Sequence, residues 1–287
     1  MPKRLSEAAV KRFHEHGYHY PLPVLAPGEM KHYQDKFLEF EAWRGGVLDG
    51  QWRNKSHLFL KWLDDLVRHP AILDAVEDLI GPDLFLWHAQ WFVKEPHTPD
   101  FVSYHQDSAY WELERPEALS VWIAFWDSDR ENGCMEVVAD THKVLLRHLE
   151  KREKENMLWR GQTVAGSLDP SKVVAMPLKA GEASIHHARI VHGSKPNHSG
   201  RRRIGYSARY VAAHVKRLGA RDSAMLVRGA DRFGHFDHEP RPKADYDPDA
   251  IAFHAKTTER YIAQYLNARV ETETASGGST AQPGAAR

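Results

Sequence analysis

The middle of the chain, residues 84–211, is a succession of short segments with strand character, separated by Gly, Pro and polar turn residues. Many short strands divided in this way predict a β-sandwich or a closed barrel. The segments concerned are residues 84–93, 102–107, 119–126, 134–138, 173–178, 182–187 and 203–211. In the first segment, Leu84, Leu86, His88, Gln90 and Phe92 alternate with Phe85, Trp87, Ala89, Trp91 and Val93, which predicts two distinct faces. We therefore expect a mainly β core.

Helical periodicity flanks this core on both sides. Residues 6–16 carry apolar positions at helical spacing, with Ser6 placed as the N-cap and Gly17 as the C-terminal stop. Residues 28–43 and 56–80 are also predicted to be helical, the latter interrupted at Pro70. A charged helical insertion is expected at 143–160, and a last helix at 250–267. From about Thr272 the Ser/Gly/Thr/Ala-rich composition predicts a disordered tail, residues 272–287.

We interpret residues 1–271 as one domain. It comprises a helical N-terminal part of about residues 1–82, a β core of about 83–215, and a C-terminal lid or helix of about 216–271. The 39 Lys and Arg residues balance 39 Asp and Glu residues, so the formal charge is zero. This balance argues against nucleic acid or an anionic membrane as the main partner. The longest strictly apolar run, residues 121–126, is far shorter than the roughly 20 residues that span a bilayer. A single cysteine, Cys134, excludes an intramolecular disulfide and a multi-cysteine metal site, and we expect a cytoplasmic protein.

Two histidines and one aspartate form the candidate metal site. His105 and Asp107 are two positions apart in a predicted strand, so their side chains would lie on one face and converge on one cation. His192, which follows after several further strands, is the best candidate for a third ligand. Two histidines and one carboxylate leave positions open on a metal, which suits non-heme Fe(II) oxygen chemistry. The pattern His-x-Asp recurs at His235 and Asp237, as chance would predict, but no strand-rich region follows there. The alternative for the first pair is a surface histidine beside a turn-forming aspartate.

Arg203 is a candidate anion-binding residue. It lies eleven residues after His192 and opens the predicted strand 203–211. A guanidinium at this position would bind the carboxylate of an acidic co-substrate in a bidentate manner. The alternative is that Arg201, Arg202 and Arg203 form a solvated basic turn, and zero net charge favours that over a nucleic-acid patch.

With these residues in register, the chain resembles the phytanoyl-CoA dioxygenase family, which includes ectoine hydroxylases. The similarity extends over about residues 17–211. Its motifs are Tyr104-His-Gln-Asp-Ser-Ala-Tyr-Trp111, the strand around Trp122, Glu131-Asn-Gly-Cys-Met-Glu-Val and His192-Gly-Ser-Lys-Pro-Asn197. One departure is Ala139-Asp-Thr-His142-Lys, where many relatives have a Gly-Ser-His turn. The resemblance implies a double-stranded β-helix (a cupin-like jelly roll) behind N-terminal helices. It also implies an Fe(II)- and 2-oxoglutarate-dependent oxygenase that consumes O2.

The resemblance also implies a role for each candidate site residue. His105, Asp107 and His192 would hold the iron, and Arg203 would pair with the distal carboxylate of 2-oxoglutarate, helped by Ser194. Further expected residues of the 2-oxoglutarate pocket are Gln106, Trp122 and Gln90. The expected substrate-pocket residues are Trp111 and Tyr110, with His235 on a possible substrate lid. The residues alone leave structural alternatives open, because Trp122 could belong to the core, Gln90 could be a satisfied strand amide and Ser194 a turn former.

The expected reaction is hydroxylation of a small molecule with release of succinate and CO2. Relatives that halogenate lack the carboxylate that Asp107 supplies here, so its presence favours hydroxylation. Two alternatives remain, a zinc-dependent hydrolase or isomerase built on the same His/Asp/His set, and a catalytically silent binding module on the same scaffold. The expected partner is a small-molecule substrate, with neither nucleic acid nor membrane, and the protein is expected to be a monomer or a homodimer.

Overall fold

The computed structural model describes residues 1–46 and 48–267, so the tail predicted from Thr272 lies outside the described residues. The helices within this part are α1 (Glu7–His16), α2 (Pro27–Trp43), α3 (Lys61–Val67), α4 (Pro70–Ile80) and α5 (Pro248–Asn267). They confirm the helices expected at 6–16, 28–43 and 250–267. The expected helix at 56–80 is divided into the short 3-10 turn Ser56–Leu58, α3 and α4, and Pro70 is the first residue of α4.

The strands form two larger sheets and one separate hairpin. They are β1 (Tyr18–Pro23), β2 (Leu84–Lys94), β3 (Val102–His105), β4 (Ala118–Ala124), β5 (Met135–Val138), β6 (His148–Glu150), β7 (Gln162–Val164), β8 (Val173–Ala175), β9 (Glu182–His187), β10 (Val191–Ser194), β11 (Arg203–Ala212), β12 (Ser223–Arg228) and β13 (Asp237–His238). The seven-stranded sheet has the order β1-β9-β4-β11-β2-β12-β13, and the four-stranded sheet the order β3-β10-β5-β8. Paired strands are antiparallel except β12 and β13. This is the jelly roll with N-terminal helices that the resemblance implied, and the expected fold class is confirmed.

The ends of α1 follow local sequence rules. Ser6 has an extended backbone, and its hydroxyl accepts a hydrogen bond from the backbone N–H of Ala9. Gly17 adopts the left-handed conformation, with φ of 85°, and its N–H donates to the carbonyl of Phe13. A residue with a Cβ is strained at such a φ, so glycine is favoured there. Both predicted ends of this helix are therefore confirmed.

Strand β11 divides the apolar core from the interior of the jelly roll. It lies in the middle of the seven-stranded sheet, and all of its residues are buried. The residues that join the core under α1–α4 are Ile204, Tyr206, Ala208 and Tyr210. The alternate residues that line the interior cavity are Arg203, Ser207 and Arg209. Burial of a large apolar side chain contributes about 1.5–3 kcal/mol to the free energy of unfolding. Because side chains alternate along a strand, packing the apolar face of β11 against the core directs its polar face into the interior.

Strand β2 contains a bulge that reverses its two faces. Its residue His88 pairs with Arg209, but the next residue of β11 pairs with Leu86, so Trp87 is an extra residue. The extra residue of a bulge shifts the alternation of side chains by one position, so even-numbered residues before it share a face with odd-numbered residues after it. The core residues of β2 are consequently Leu84, Leu86, Ala89 and Trp91. Gln90 and Phe92 instead line interior cavities. The prediction that Leu84, Leu86, Gln90 and Phe92 share one face is therefore wrong.

The charged insertion at 143–160 is not helical, so that prediction is also wrong. The segment contains β6, which pairs with β7 in an antiparallel hairpin. Arg160 Nε donates to Glu150 Oε1 at 2.9 Å, and His148 Nε2 accepts from the backbone N–H of Gln106 at 2.9 Å. Gln106 is 42 residues from His148, and Glu150 and Arg160 are ten residues apart, so neither contact has helical spacing.

Smaller differences concern the lengths of strands. The strand expected at 102–107 ends at His105, and the one expected at 173–178 ends at Ala175. Strand β1, which the sequence did not predict, pairs with β9 at the edge of the large sheet. Among the described residues, no helix has both the length and the apolar character needed to cross a membrane.

Candidate active site

The three predicted metal ligands meet where β3 and β10 pair. His105 is the last residue of β3 and lies directly opposite His192 of β10, with the ring centroids 4.2 Å apart. Asp107 begins a short 3-10 turn rather than continuing the strand, yet its Oδ1 lies 3.3 Å from His105 Nε2. One potential ligand atom from each of the three residues lies within 4.8 Å of the others. The geometry therefore brings together all three residues that the sequence singled out.

Both histidines present the same ring nitrogen to this site. His105 Nδ1–H donates to the carbonyl of Ser103 at 2.9 Å, and His192 Nδ1–H donates to the carbonyl of Ile190 at 3.1 Å. A carbonyl only accepts, so each neutral ring must carry its proton on Nδ1 and keep a lone pair on Nε2. This backbone hydrogen bond is typical of metal-binding histidines, because it fixes the tautomer and the ring orientation.

The protonation states at the site also suit a metal. Burial raises the pKa of Asp107, but Arg209 and His105 outweigh this effect and hold that pKa well below its usual range. Burial and the neighbouring His105 keep the pKa of His192 well below its usual value, so the imidazole is neutral. Two imidazoles that present Nε2 and one carboxylate, fixed on one side of a cavity, fit Fe(II) with its other positions open.

Arg203, Ser194 and Trp122 line the same cavity as these three residues, a space of about 400 Å³ including its opening to solvent. We call it the first cavity. Arg203 is only 2% exposed, and its guanidinium carbon lies 4.6 Å from the centre of the Trp122 ring. Its Nε and Nη1 have no hydrogen-bond partner among the residues that the structure describes. Burial lowers the pKa of Arg203 to about 10, so it stays charged at neutral pH. A buried cation with free donors favours an anionic ligand, which the guanidinium of Arg203 can bind.

Lys94 is a residue of this region that the sequence analysis missed. It is fully buried, pairs with Arg203 across the β2–β11 ladder, and donates from Nζ to Ser194 Oγ at 2.7 Å. Burial and the charge of Arg203 lower the pKa of Lys94 to about 6. A lysine ending a strand whose other residues are mainly apolar was the available signal. At neutral pH Arg203 therefore supplies the positive charge at this end of the first cavity, whereas Lys94 is largely neutral and hydrogen-bonds to Ser194.

Three other predicted pocket residues line a second cavity next to Asp107, of about 430 Å³ including its opening. It contains Gln90, Tyr110 and Trp111, and it shares Asp107 and Arg209 with the first cavity. The expectation for Tyr110 and Trp111 thus has structural support, whereas Gln90 lies in this second cavity rather than beside Arg203. Aromatic lining residues that sequence reasoning missed are Trp159, Tyr261 and Tyr265.

Two predicted site residues lie away from both cavities. The side-chain amide of Gln106 is buried, donates to the carbonyls of Val144 and Thr141, and accepts from the backbone N–H of Leu146. The amide therefore connects neighbouring loops, and Gln106 does not line either of the two cavities. His105 and Asp107, on either side of it in the sequence, face the metal site, so the side chain between them points away from that site. His235 is half-buried and stacks on Phe233, with the ring centroids 5.7 Å apart.

The two histidines before His192 differ in position. His186 lines the first cavity, with its ring 4.5 Å from that of His192, whereas His187 packs against Phe13 and His142.

Comparison with known proteins agrees with this geometry. The family model for phytanoyl-CoA dioxygenase matches residues 13–205. Over 159 residues the chain is 30% identical to a probable alpha-ketoglutarate-dependent hypophosphite dioxygenase from Stutzerimonas stutzeri, covering 53% of this chain and 55% of that one. It is 28% identical to L-proline trans-4-hydroxylase from Streptomyces griseoviridis, covering 56% of this chain and 70% of the relative. The chain spans about half the length of most of the curated relatives that it matches.

The similarity to solved structures extends further along the chain. The apo form of the non-heme monooxygenase ThoJ superposes with a TM-score of 0.78 and 30% identity, covering 90% of this chain and 99% of that chain. The jelly roll and its Fe(II)-compatible site define the class as 2-oxoglutarate-dependent oxygenases, enzymes that use Fe(II), 2-oxoglutarate and O2. Within that class, the chain belongs to the phytanoyl-CoA dioxygenase family.

Proposed function

We propose that this protein is a dioxygenase that hydroxylates an unactivated C–H bond of a small-molecule substrate. His105, Asp107 and His192 would hold Fe(II), with 2-oxoglutarate in the first cavity and the substrate in the second. When bound, the iron and 2-oxoglutarate supply the oxidising chemistry, with O2 consumed and succinate and CO2 released. The carboxylate of Asp107 supports hydroxylation, since it occupies a metal position that would otherwise admit another ligand.

The observation that carries the proposal is the buried guanidinium of Arg203 in the cavity of the metal ligands, whose Nε and Nη1 have no hydrogen-bond partner within the described part of the chain. A zinc hydrolase or isomerase would need the His/Asp/His set but would have no need of a buried free cation beside it. Leaving a buried charge without a partner costs several kcal/mol, so an anionic ligand is the economical explanation for Arg203. The distal carboxylate of 2-oxoglutarate supplies that anion.

The remaining residues of the first cavity would hold and orient the co-substrate. Ser194 Oγ accepts from Lys94, so its own proton is free to be donated to a carboxylate oxygen. The indole of Trp122 supports the Arg203 guanidinium through a cation–π contact and covers the apolar side of the cavity. Together these contacts would fix one end of 2-oxoglutarate at a set distance from the metal ligands.

The proposal is tested by anaerobic optical titration of the apoprotein with Fe(II) and then 2-oxoglutarate. We expect a visible metal-to-ligand charge-transfer band that is absent in His192→Ala and weakened in Arg203→Ala. Arg201→Ala, which removes an exposed arginine two positions away, is the matched control and should retain the band. Tight Zn²⁺ binding with no band in the wild-type protein would instead indicate the hydrolase class.

A second test concerns the ligand role of Asp107. Asp107→Ala should abolish substrate-dependent succinate formation, because only two metal ligands and no carboxylate would remain. Near-normal turnover in this variant would contradict the assignment of the three ligands.

A further inference from the structure

The lining of the second cavity contains few charged residues. Its lining is mainly aromatic and amide side chains, and its charged residues within the described part of the chain are Asp107 and Arg209. Asp107 is the expected metal ligand, so its charge would be neutralised by the cation. Arg209 is then the one free charge that a substrate in this cavity would meet.

The guanidinium of Arg209 is short of hydrogen-bond acceptors. Its Nε is buried without a hydrogen-bond partner among residues 1–46 and 48–267. Its nearest carboxylate is that of Asp107, whose Oδ2 lies 3.9 Å from Nε, beyond hydrogen-bond length. The guanidinium carbon lies 5.5 Å from the centre of the Trp111 ring, and the residue is 8% exposed. Arg209 is therefore a second buried cation, and its Nε–H has no acceptor among the described residues.

Arg203 and Arg209 are two positively charged residues at different positions along β11. Arg203 and Arg209 are six residues apart on the same strand face, which corresponds to about 20 Å along an extended chain. Arg203 lines the first cavity together with Ser194 and pairs with Lys94 across the ladder, whereas Arg209 has the aromatic residues of the second cavity beside it. Arg209 thus lines both cavities, whereas Arg203 lines only the first.

We propose that the substrate is a small carboxylate, whose carboxylate group pairs with Arg209 and whose apolar part lies among Tyr110, Trp111 and Tyr261. This inference rests on the proposed function and adds the substrate class. One guanidinium matches one carboxylate, so a coenzyme A thioester with its several phosphate groups does not match the charge of this cavity. Because Arg209 lies so close to Asp107, the oxidised carbon should be only a few bonds from the carboxylate.

The test uses small carboxylic acids paired with their neutral primary amides. Examples are 3-phenylpropanoate, cyclohexanecarboxylate and indole-3-acetate, each with its amide. Binding is measured by anaerobic calorimetry on protein loaded with Fe(II) and 2-oxoglutarate, so the readout does not depend on turnover. We expect at least one acid to bind about tenfold or more tightly than its amide, as a charge-assisted pair requires. A panel in which no acid binds more tightly than its amide overturns the proposal.

Variants of Arg209 test whether this residue causes the preference for an acid over its amide. Arg209→Gln, which keeps the hydrogen-bonding capacity but removes the charge, should abolish the preference for the acid, and Arg209→Lys should retain part of it. Arg221→Gln is the matched control, because Arg221 is exposed and is not among the lining residues of either cavity. This variant should leave the preference for the acid unchanged. If the preference survives in Arg209→Gln, or if that variant weakens 2-oxoglutarate binding alone, Arg209 serves the co-substrate and the proposal is wrong.

The charge-transfer band separates this inference from the proposed function. A wild-type protein that forms the band but shows no preference for acids contradicts only the substrate class. A wild-type protein that forms no band contradicts the oxygenase assignment itself.

Discussion

At the scale of single residues, the interior of this jelly roll depends on close contact between Trp122 and Gly205. Gly205 lies in β11 beside the indole of Trp122, and a methyl group at this position would overlap the ring. The indole in turn lies under the Arg203 guanidinium. A glycine in the middle of a fully buried strand thus sets the position of the proposed 2-oxoglutarate anchor.

Gly205→Ala should therefore impair both stability and co-substrate binding. Overfilling a packed interior costs about 1–3 kcal/mol in the free energy of unfolding. Displacement of the indole should also weaken 2-oxoglutarate binding several-fold. Denaturant unfolding and anaerobic calorimetry measure the two effects, and Gly28→Ala, which meets no neighbouring atoms, is the control. Unchanged stability and affinity in Gly205→Ala would show that Trp122 does not depend on this space.

At the scale of elements, α5 completes a cavity that is otherwise built by the β core. Tyr261 and Tyr265 of this helix line the second cavity, and Tyr261 stacks on His88 with ring centroids 3.9 Å apart. His254 holds the helix in place by donating from Nε2 to the carbonyl of Asn54 at 2.8 Å. A helix far along the sequence thus provides one wall of the proposed substrate site. The C-terminal helix expected from the sequence therefore contributes residues to this cavity.

Tyr261→Ala should separate the two cavities functionally. Loss of the stacked ring should destabilise the protein by about 3–5 kcal/mol, as for other buried aromatic truncations, and should lower substrate-dependent succinate formation. The Fe(II)–2-oxoglutarate band should persist, because the first cavity does not include α5. Lys256→Ala, at an exposed position of the same helix, is the control. Loss of the band in folded Tyr261→Ala protein would argue against two separate binding spaces.

At the scale of the whole molecule, buried histidines make the fold sensitive to acid. Burial lowers the pKa values of His148 and His254 to about 4 and that of His187 to about 3. An unfolded chain binds protons at these residues below about pH 6.5, whereas the folded chain does not do so until about pH 4. The unfolded state therefore gains protons first as the pH falls, and folding becomes less favourable.

The free energy of unfolding should consequently fall by at least about 3 kcal/mol between pH 7 and pH 4. The loss should begin near pH 6.5 and level off for each histidine below its folded pKa. Denaturant unfolding at a series of pH values measures the slope, and His187→Asn should make it shallower. A stability that stays constant from pH 7 to pH 4.5 would contradict neutral burial of these residues.

Much of the local structure could be predicted from the sequence, because its causes are local. The caps of α1, the extents of α2 and α5 and the identity of β9 follow from neighbouring residues alone. Where distant contacts decide, prediction was less successful. Residues 148–150 of the segment 143–160 form a strand because they pair with β7. The faces of β2 reverse because its pairing with β11 contains a bulge.

The sequence by itself determined the chemistry available to the site, namely two histidines, an aspartate and an arginine at spacings that suit strands, and a family to which they belong. Only the tertiary structure decided which of the other candidates join them. The side chain of Gln106 binds the backbone of neighbouring loops, and Gln90 lies in the second cavity. Lys94 is buried and hydrogen-bonds to Ser194, and Arg209 is buried with an Nε–H that has no partner among the described residues. The reason is that residue types and spacing are local properties, whereas burial and the supply of hydrogen-bond partners depend on strands and helices brought together from the whole chain.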